Sequence, residues 1–103
     1  MAKRIEVALK SRDHGKLVRA CVVVEGDRAS AVTFTGDFFL EPPEVLEELS
    51  QAMGGSTAAD VKERARSFFA RRSQDNVMLI GAGPEDFVRV LEKAFQEAGR
   101  PVS

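Results

Sequence analysis

The chain has 103 residues, fifteen Lys and Arg against sixteen Asp and Glu, a formal net charge of −1, one Cys, one His and no Trp or Tyr. That length suits one domain with a modest core, burying roughly two-thirds of the unfolded surface, and is short for an enzyme that must enclose two substrates. Balanced charge argues against a dedicated nucleic-acid binder, no apolar run approaches the ~18–20 residues that span a membrane, and a lone cysteine leaves no intrachain disulfide to mark an oxidising compartment.

Met1-Ala2-Lys3-Arg4 leads into mixed-polarity sequence rather than a signal-peptide core, so the expected location is cytoplasmic. Charge is banded along the chain. Residues 1–20 carry six basic and two acidic groups, residues 21–60 carry eight acidic and one basic, and residues 61–84 carry five basic and two acidic. Such bands suit either solvated faces or a charged interface with a partner.

Ile5, Val7 and Leu9 alternate with Arg4, Glu6, Ala8 and Lys10, which predicts a half-buried strand over 4–10. Leu17 to Val24 reads as a central strand, with Val22-Val23-Val24 its most β-prone part. Glu25-Gly26-Asp27-Arg28 supplies a tight turn with Gly26 free to take positive φ, and Ala29 to Thr35 returns with Val32 and Phe34 on one face.

Pro42-Pro43 stops strand extension and suits a helix start. Val45, Leu46, Leu49, Ala52 and Met53 then share one helical face, and Gly54-Gly55 ends it. Thr57 and Asp60 have the spacing of a capping box, ahead of a second helix with Val61, Ala65, Phe68 and Phe69 inward and Arg71 and Arg72 in its last turn. Val77-Met78-Leu79-Ile80 reads as a short buried strand. A last helix begins at Pro84, carries Phe87, Val88, Leu91, Ala94, Phe95 and Ala98 as an apolar stripe, and closes at Gly99 and Pro101. The expected fold is α+β, in the order β-β-β-α-α-β-α. It has a small three- to four-stranded sheet and about three helices on one face, as one domain over 1–103.

Self-contained chemistry is poorly supplied. Cys21 lies in the most apolar strand and reads as a small buried hydrophobe, while His14 sits in a polar turn; a Cys21–His14 pair is the alternative, with nothing in the sequence to position it. One Cys and one His make no usual metal site. Gly81-Ala82-Gly83 before Pro84 supplies only the first two glycines of a dinucleotide fingerprint, and Glu85 with Asp86 already place negative charge at that helix end, so a cap is expected. The adjacent Phe38 and Phe39 cannot both follow strand alternation, so the loop either tucks onto its own helices or exposes one ring to a partner. Asp37 could bond its own loop. Gly15 permits a tight turn that places Lys16 and Arg19 to face an anion, or simply water.

Together Gly15-Lys16-Leu17-Val18-Arg19, a hairpin, Gly36-Asp37-Phe38-Phe39, Pro43-Glu44 and Leu46-Glu47-Glu48-Leu49 resemble the C-terminal accessory domain of lipoate–protein ligases. That domain follows a larger catalytic domain or stands as a separate small protein, and a chain with its own Met1 resembles the second arrangement. The resemblance implies a subunit with no catalytic residue of its own. It would be needed with a larger catalytic subunit for ATP-dependent activation of lipoate to lipoyl-AMP, before transfer to a lysine of lipoyl-carrier domains. ATP, Mg and lipoate would sit on the partner. Gly15, Lys16, Arg19, Gly36, Asp37, Phe38 and Phe39 are placed at or near the interface, with Phe38 or Phe39 as anchor. Where the family often has Pro-Gly-Gly before the Lys, this chain has Asp13-His14-Gly15. The alternatives are a stand-alone interaction module without a role in lipoylation, or a small enzyme using Cys21 and His14.

Overall fold

Alternating β-branched and polar residues fold the first third of the chain into β1 (Ala2–Lys10), β2 (Leu17–Glu25) and β3 (Arg28–Gly36). The computed structural model describes residues 2–72 and 74–99, so Pro101 lies outside the described residues. The three strands form an antiparallel sheet with β2 in the middle, Val7 opposite Ala20 and Val22 opposite Val32. Gly26 turns β2 into β3 at φ +62°. The register shifts between Val23 and Val24, which face Ala31 and Ala29 respectively, leaving Ser30 as the extra residue of a bulge. This shift explains why Ala29 and Val32, three apart, are both buried.

One face of the sheet, carrying Val7, Val18, Ala20, Val22, Val24, Val32 and Phe34, is buried. It is covered by α1 (Glu44–Met53) and α3 (Pro84–Glu97), whereas α2 (Val61–Arg72) rests on α1 and α3 rather than on the sheet. The helices therefore share one side but occupy two depths. Val45, Leu49 and Met53 of α1 and Val61, Ala65, Phe68 and Phe69 of α2 are inward as their spacing predicts. Thr57 and Asp60 exchange hydrogen bonds at 2.7 and 3.3 Å ahead of α2, the reciprocal pattern of a capping box. At the other end of α2, Arg72 reaches Glu48 of α1 at 3.4 Å and Asp75 at 3.2 Å.

Phe87 of α3 joins the layers. Its ring, fully buried, meets Phe34 of the sheet at 5.3 Å, Phe69 of α2 at 5.4 Å and Phe38 at 5.0 Å between centroids. Such separations are favourable for edge-to-face and tilted ring pairs.

The expected order lacks one element. Phe39–Glu41 forms a three-residue strand, β4, that pairs antiparallel with β5 (Met78–Ile80) as a ribbon separate from the main sheet. β5 is also not the buried strand expected: Met78 is 56% and Ile80 53% exposed. Among the described residues one face of the ribbon meets the core, through Leu40 and Leu79, while Phe39, Met78 and Ile80 on the other face are exposed. Cys21 departs from expectation too. Val18, Ala20, Val22 and Val24 take the inner face of β2, so strand alternation turns Cys21 to the open face, where it is half-buried between Glu6 and Thr33. Among the described residues no helix is long and apolar enough to cross a membrane.

Candidate interaction site

The loop between β1 and β2 closes on Ser11. The Ser11 backbone N–H donates to Lys16 O at 2.7 Å, the Gly15 N–H donates to Ser11 O at 3.0 Å, and the Lys16 N–H donates to Ser11 Oγ at 3.0 Å. Gly15 takes φ +63° with open space around it, so the loop needs glycine there for conformation rather than for room. His14 needs no such freedom: Asn76 is the one non-glycine residue with positive φ among the described residues. His14, standing where the resembled motif often has the first glycine of Pro-Gly-Gly, therefore fits this turn without positive φ.

Gly36, at φ +151°, lies directly against the Leu17 carbonyl, where any Cβ would collide with that oxygen. The following Asp37 N–H donates to the same Leu17 O at 2.8 Å. Gly81, at φ +91°, closes the third side: a Cβ there would stand 3.1 Å from Asp37 O, 3.4 Å from Phe38 Cα and 3.5 Å from Lys16 Cγ. Ser11 Oγ donates to Gly81 O at 2.8 Å. Two motifs some twenty residues apart and the glycine before α3 thus meet in one junction.

Around this junction the expected residues separate into roles. Phe38 is half-buried against Phe87, while Phe39 is 68% exposed. Phe39 lies directly opposite Ile80, and Glu41 opposite Met78, on the outward face of the ribbon. Lys16 lays its stem along Gly81, and its ammonium forms no ion pair among the described residues. Arg19 stands apart on the open face of the main sheet, between Ala8 and Thr35. Cys21 lies four residues from the loop end of β2, a rise of about 13 Å, which separates it from the loop carrying His14.

The start of α3 is occupied by its own carboxylate. Asp86 Oδ2 accepts from the Gly83 N–H at 2.8 Å, and Oδ1 accepts from the Arg12 N–H at 3.1 Å and Arg89 Nη1 at 2.9 Å. The expected cap is present, and it also anchors the β1–β2 loop. Neither Ser11 nor Asp86 stood out in sequence as a link between distant segments; a Ser ending a strand and an Asp in a first helical turn are too common to signal it. Farther along, Arg66 donates twice to Glu85, at 2.9 and 2.8 Å, and this hydrogen bonding holds the Glu85 carboxyl below its ordinary range. Among the described residues no cluster of His, Cys, Asp and Glu could hold a metal ion.

No protein-family model matches the chain. Among curated proteins it is 28% identical over 75 residues to "Lipoate-protein ligase A subunit 2" of Thermoplasma acidophilum, covering 73% of this chain and 76% of that one. Among solved structures it matches a chain from an archaeal lipoylation system of Thermoplasma acidophilum, described as a bipartite lipoate protein ligase and its E2 lipoyl domain. That match has a TM-score of 0.74 at 25% identity and covers 88% of this chain and 97% of the other. Sequence and fold point the same way: the chain is similar to subunit 2 of a lipoate–protein ligase in sequence, and to a chain of a bipartite lipoate protein ligase system in fold.

Proposed function

We propose that this chain is the small accessory subunit of a two-component lipoate–protein ligase. It acts as one domain with a larger catalytic subunit to convert lipoate and ATP to lipoyl-AMP and pyrophosphate, before transfer of the lipoyl group to a carrier lysine. The observation that carries the reading is the convergence of Gly15-Lys16 and Gly36-Asp37-Phe38-Phe39 on one junction, in a chain similar to such a subunit in sequence and fold. ATP, Mg and lipoate belong to the partner in this reading, and the reaction to the cytoplasm. The work of this chain is to bind and position.

Its residues divide that work. Gly15, Gly36 and Asp37 shape the backbone of the contact, Phe38 fixes the loop to the core through Phe87, and Phe39 enters the partner. Lys16 and Arg19 present cations to negative charge, either acidic groups of the partner or phosphate at its active site. A stand-alone interaction module is not favoured, because both similarities point to a ligase subunit. The test is to mix the purified chain with the larger subunit, lipoate and Mg-ATP and follow pyrophosphate release. The chain should raise adenylation strongly and leave transfer from synthetic lipoyl-AMP little changed. Unchanged adenylation would reject the proposal.

A further inference from the structure

The large apolar side chains that stay exposed in the described residues are Phe39 at 68%, Met78 at 56% and Ile80 at 53%. All three stand on one face of the β4–β5 ribbon: Phe39 faces Ile80 across the strands, and Met78 is two residues along β5 from Ile80. Scattered apolar residues need no explanation, but a contiguous group on a fixed backbone marks a contact surface. The backbone here is fixed. Leu40 and Leu79 pin the inner face to the core, and Gly81 packs against Asp37 and Phe38.

Resting on the reading of this chain as a ligase subunit, we infer that the Phe39–Ile80–Met78 face is the hydrophobic centre of its interface with the larger subunit. Met78 and Ile80, outside either sequence motif, then contribute as much as Phe39. Area decides between occupants. At these exposures, and with about 150–250 Å² for a large side chain, the trio offers roughly 300–400 Å². Two copies face to face would bury roughly 600–800 Å² in total, the size of a lattice contact rather than of a stable dimer. A larger partner with a recess can enclose the ridge and continue over its rim. That rim has a definite charge order: Lys16 lies beside Gly81 at the Ile80 end and Glu41 lies opposite Met78 at the other, neither in an ion pair among the described residues. The partner surface that fits is an apolar recess with a carboxylate at the Lys16 end and a cation at the Glu41 end. Three-residue strands offer too little free backbone for strand addition, so side chains carry the contact.

The experiment measures binding of the larger ligase subunit to the full chain and its Phe39→Ala, Ile80→Ala and Met78→Ala/Ile80→Ala variants, alongside pyrophosphate release and sedimentation. Thermal melting identifies variants that remain folded, and Ile80→Val serves as the conservative control should Ile80→Ala not fold. Each alanine variant should weaken binding at least about tenfold, with pyrophosphate release restored by excess subunit and Ile80→Val close to wild type. Wild-type binding and stimulation with the double variant binding within about twofold of wild type would overturn the inference and leave the function standing. Binding without stimulation, lost in the variants, would uphold the interface and reject the ligase role. No wild-type binding would reject both. A wild-type homodimer that Ile80→Ala dissociates would assign the face to a second copy and overturn the inference.

Discussion

Ser11 Oγ donates a 2.8 Å hydrogen bond to the carbonyl oxygen of Gly81, seventy residues away, while accepting from the Lys16 N–H at 3.0 Å. One buried hydroxyl thereby holds the β1–β2 loop and the exit of β5 together. Ser11→Ala leaves a buried carbonyl and an amide without this partner, which costs about 1–3 kcal/mol. Urea unfolding should show that loss, and pyrophosphate release should fall as well because one of the two hydrogen bonds between Ser11 and Lys16 is gone. Unchanged stability would remove Ser11 from the junction.

Gly15 and Gly36 should respond differently to the same change. At Gly15 an added methyl meets nothing and bears only the conformational cost of φ +63°, about 1–2 kcal/mol. At Gly36 it collides with the Leu17 carbonyl, so Gly36→Ala must displace β3 from β2 and should prevent folding or cost well over ~2 kcal/mol. Denaturant curves of the two variants compare space with conformation directly.

Phe38→Ala and Phe39→Ala should separate stability from assembly. Losing the Phe38 ring removes its contact with Phe87 and should destabilise the isolated chain by about 2–3 kcal/mol. Phe39→Ala should change stability by less than ~0.5 kcal/mol. Calorimetry of the isolated variants checks the pair, and a large loss in Phe39→Ala would place that ring in the fold.

Acid should loosen the clip between α2 and α3. Arg66 holds the Glu85 carboxyl below its ordinary value, so the folded state binds its proton less readily than the unfolded state. That contribution is present above the ordinary glutamate pKa and lost as pH falls through the lowered folded value. The side chains are 48% and 57% exposed, so the effect is small and salt-sensitive. The melting-temperature gap between wild type and Glu85→Gln should be open near neutral pH and narrow progressively as the pH falls below the ordinary glutamate range. A gap independent of pH would assign the pair no ionic role.

The main sheet and the three helices were legible because their patterns are long: nine-residue strands with one face apolar, and stripes such as Phe87, Val88, Leu91 and Phe95. The ribbon was not. Phe39-Leu40-Glu41 is too short for alternation to register before Pro42, and four consecutive apolar residues at 77–80 do not say which side faces out. The bulge at Ser30 lies in pairing, not in composition. In the candidate site the two motifs could be read locally, but their convergence depends on Gly81 and Ser11, whose partners are distant in sequence. The same limit kept open the choice between Phe38 and Phe39, which Phe87 decides.

The placement of Phe87 has a consequence for synthesis. The aromatic cluster takes rings from positions 34, 38 and 69 but is centred on the last helix. As the chain emerges from the ribosome, β1, β2 and β3 can pair well before α3 exists to cover Val18, Ala20, Val22 and Phe34. The nascent protein therefore carries a partly uncovered apolar sheet face until α3 has been made, a state prone to aggregation. Truncations ending before Pro84 should be recovered as insoluble material even though every strand of the main sheet is present.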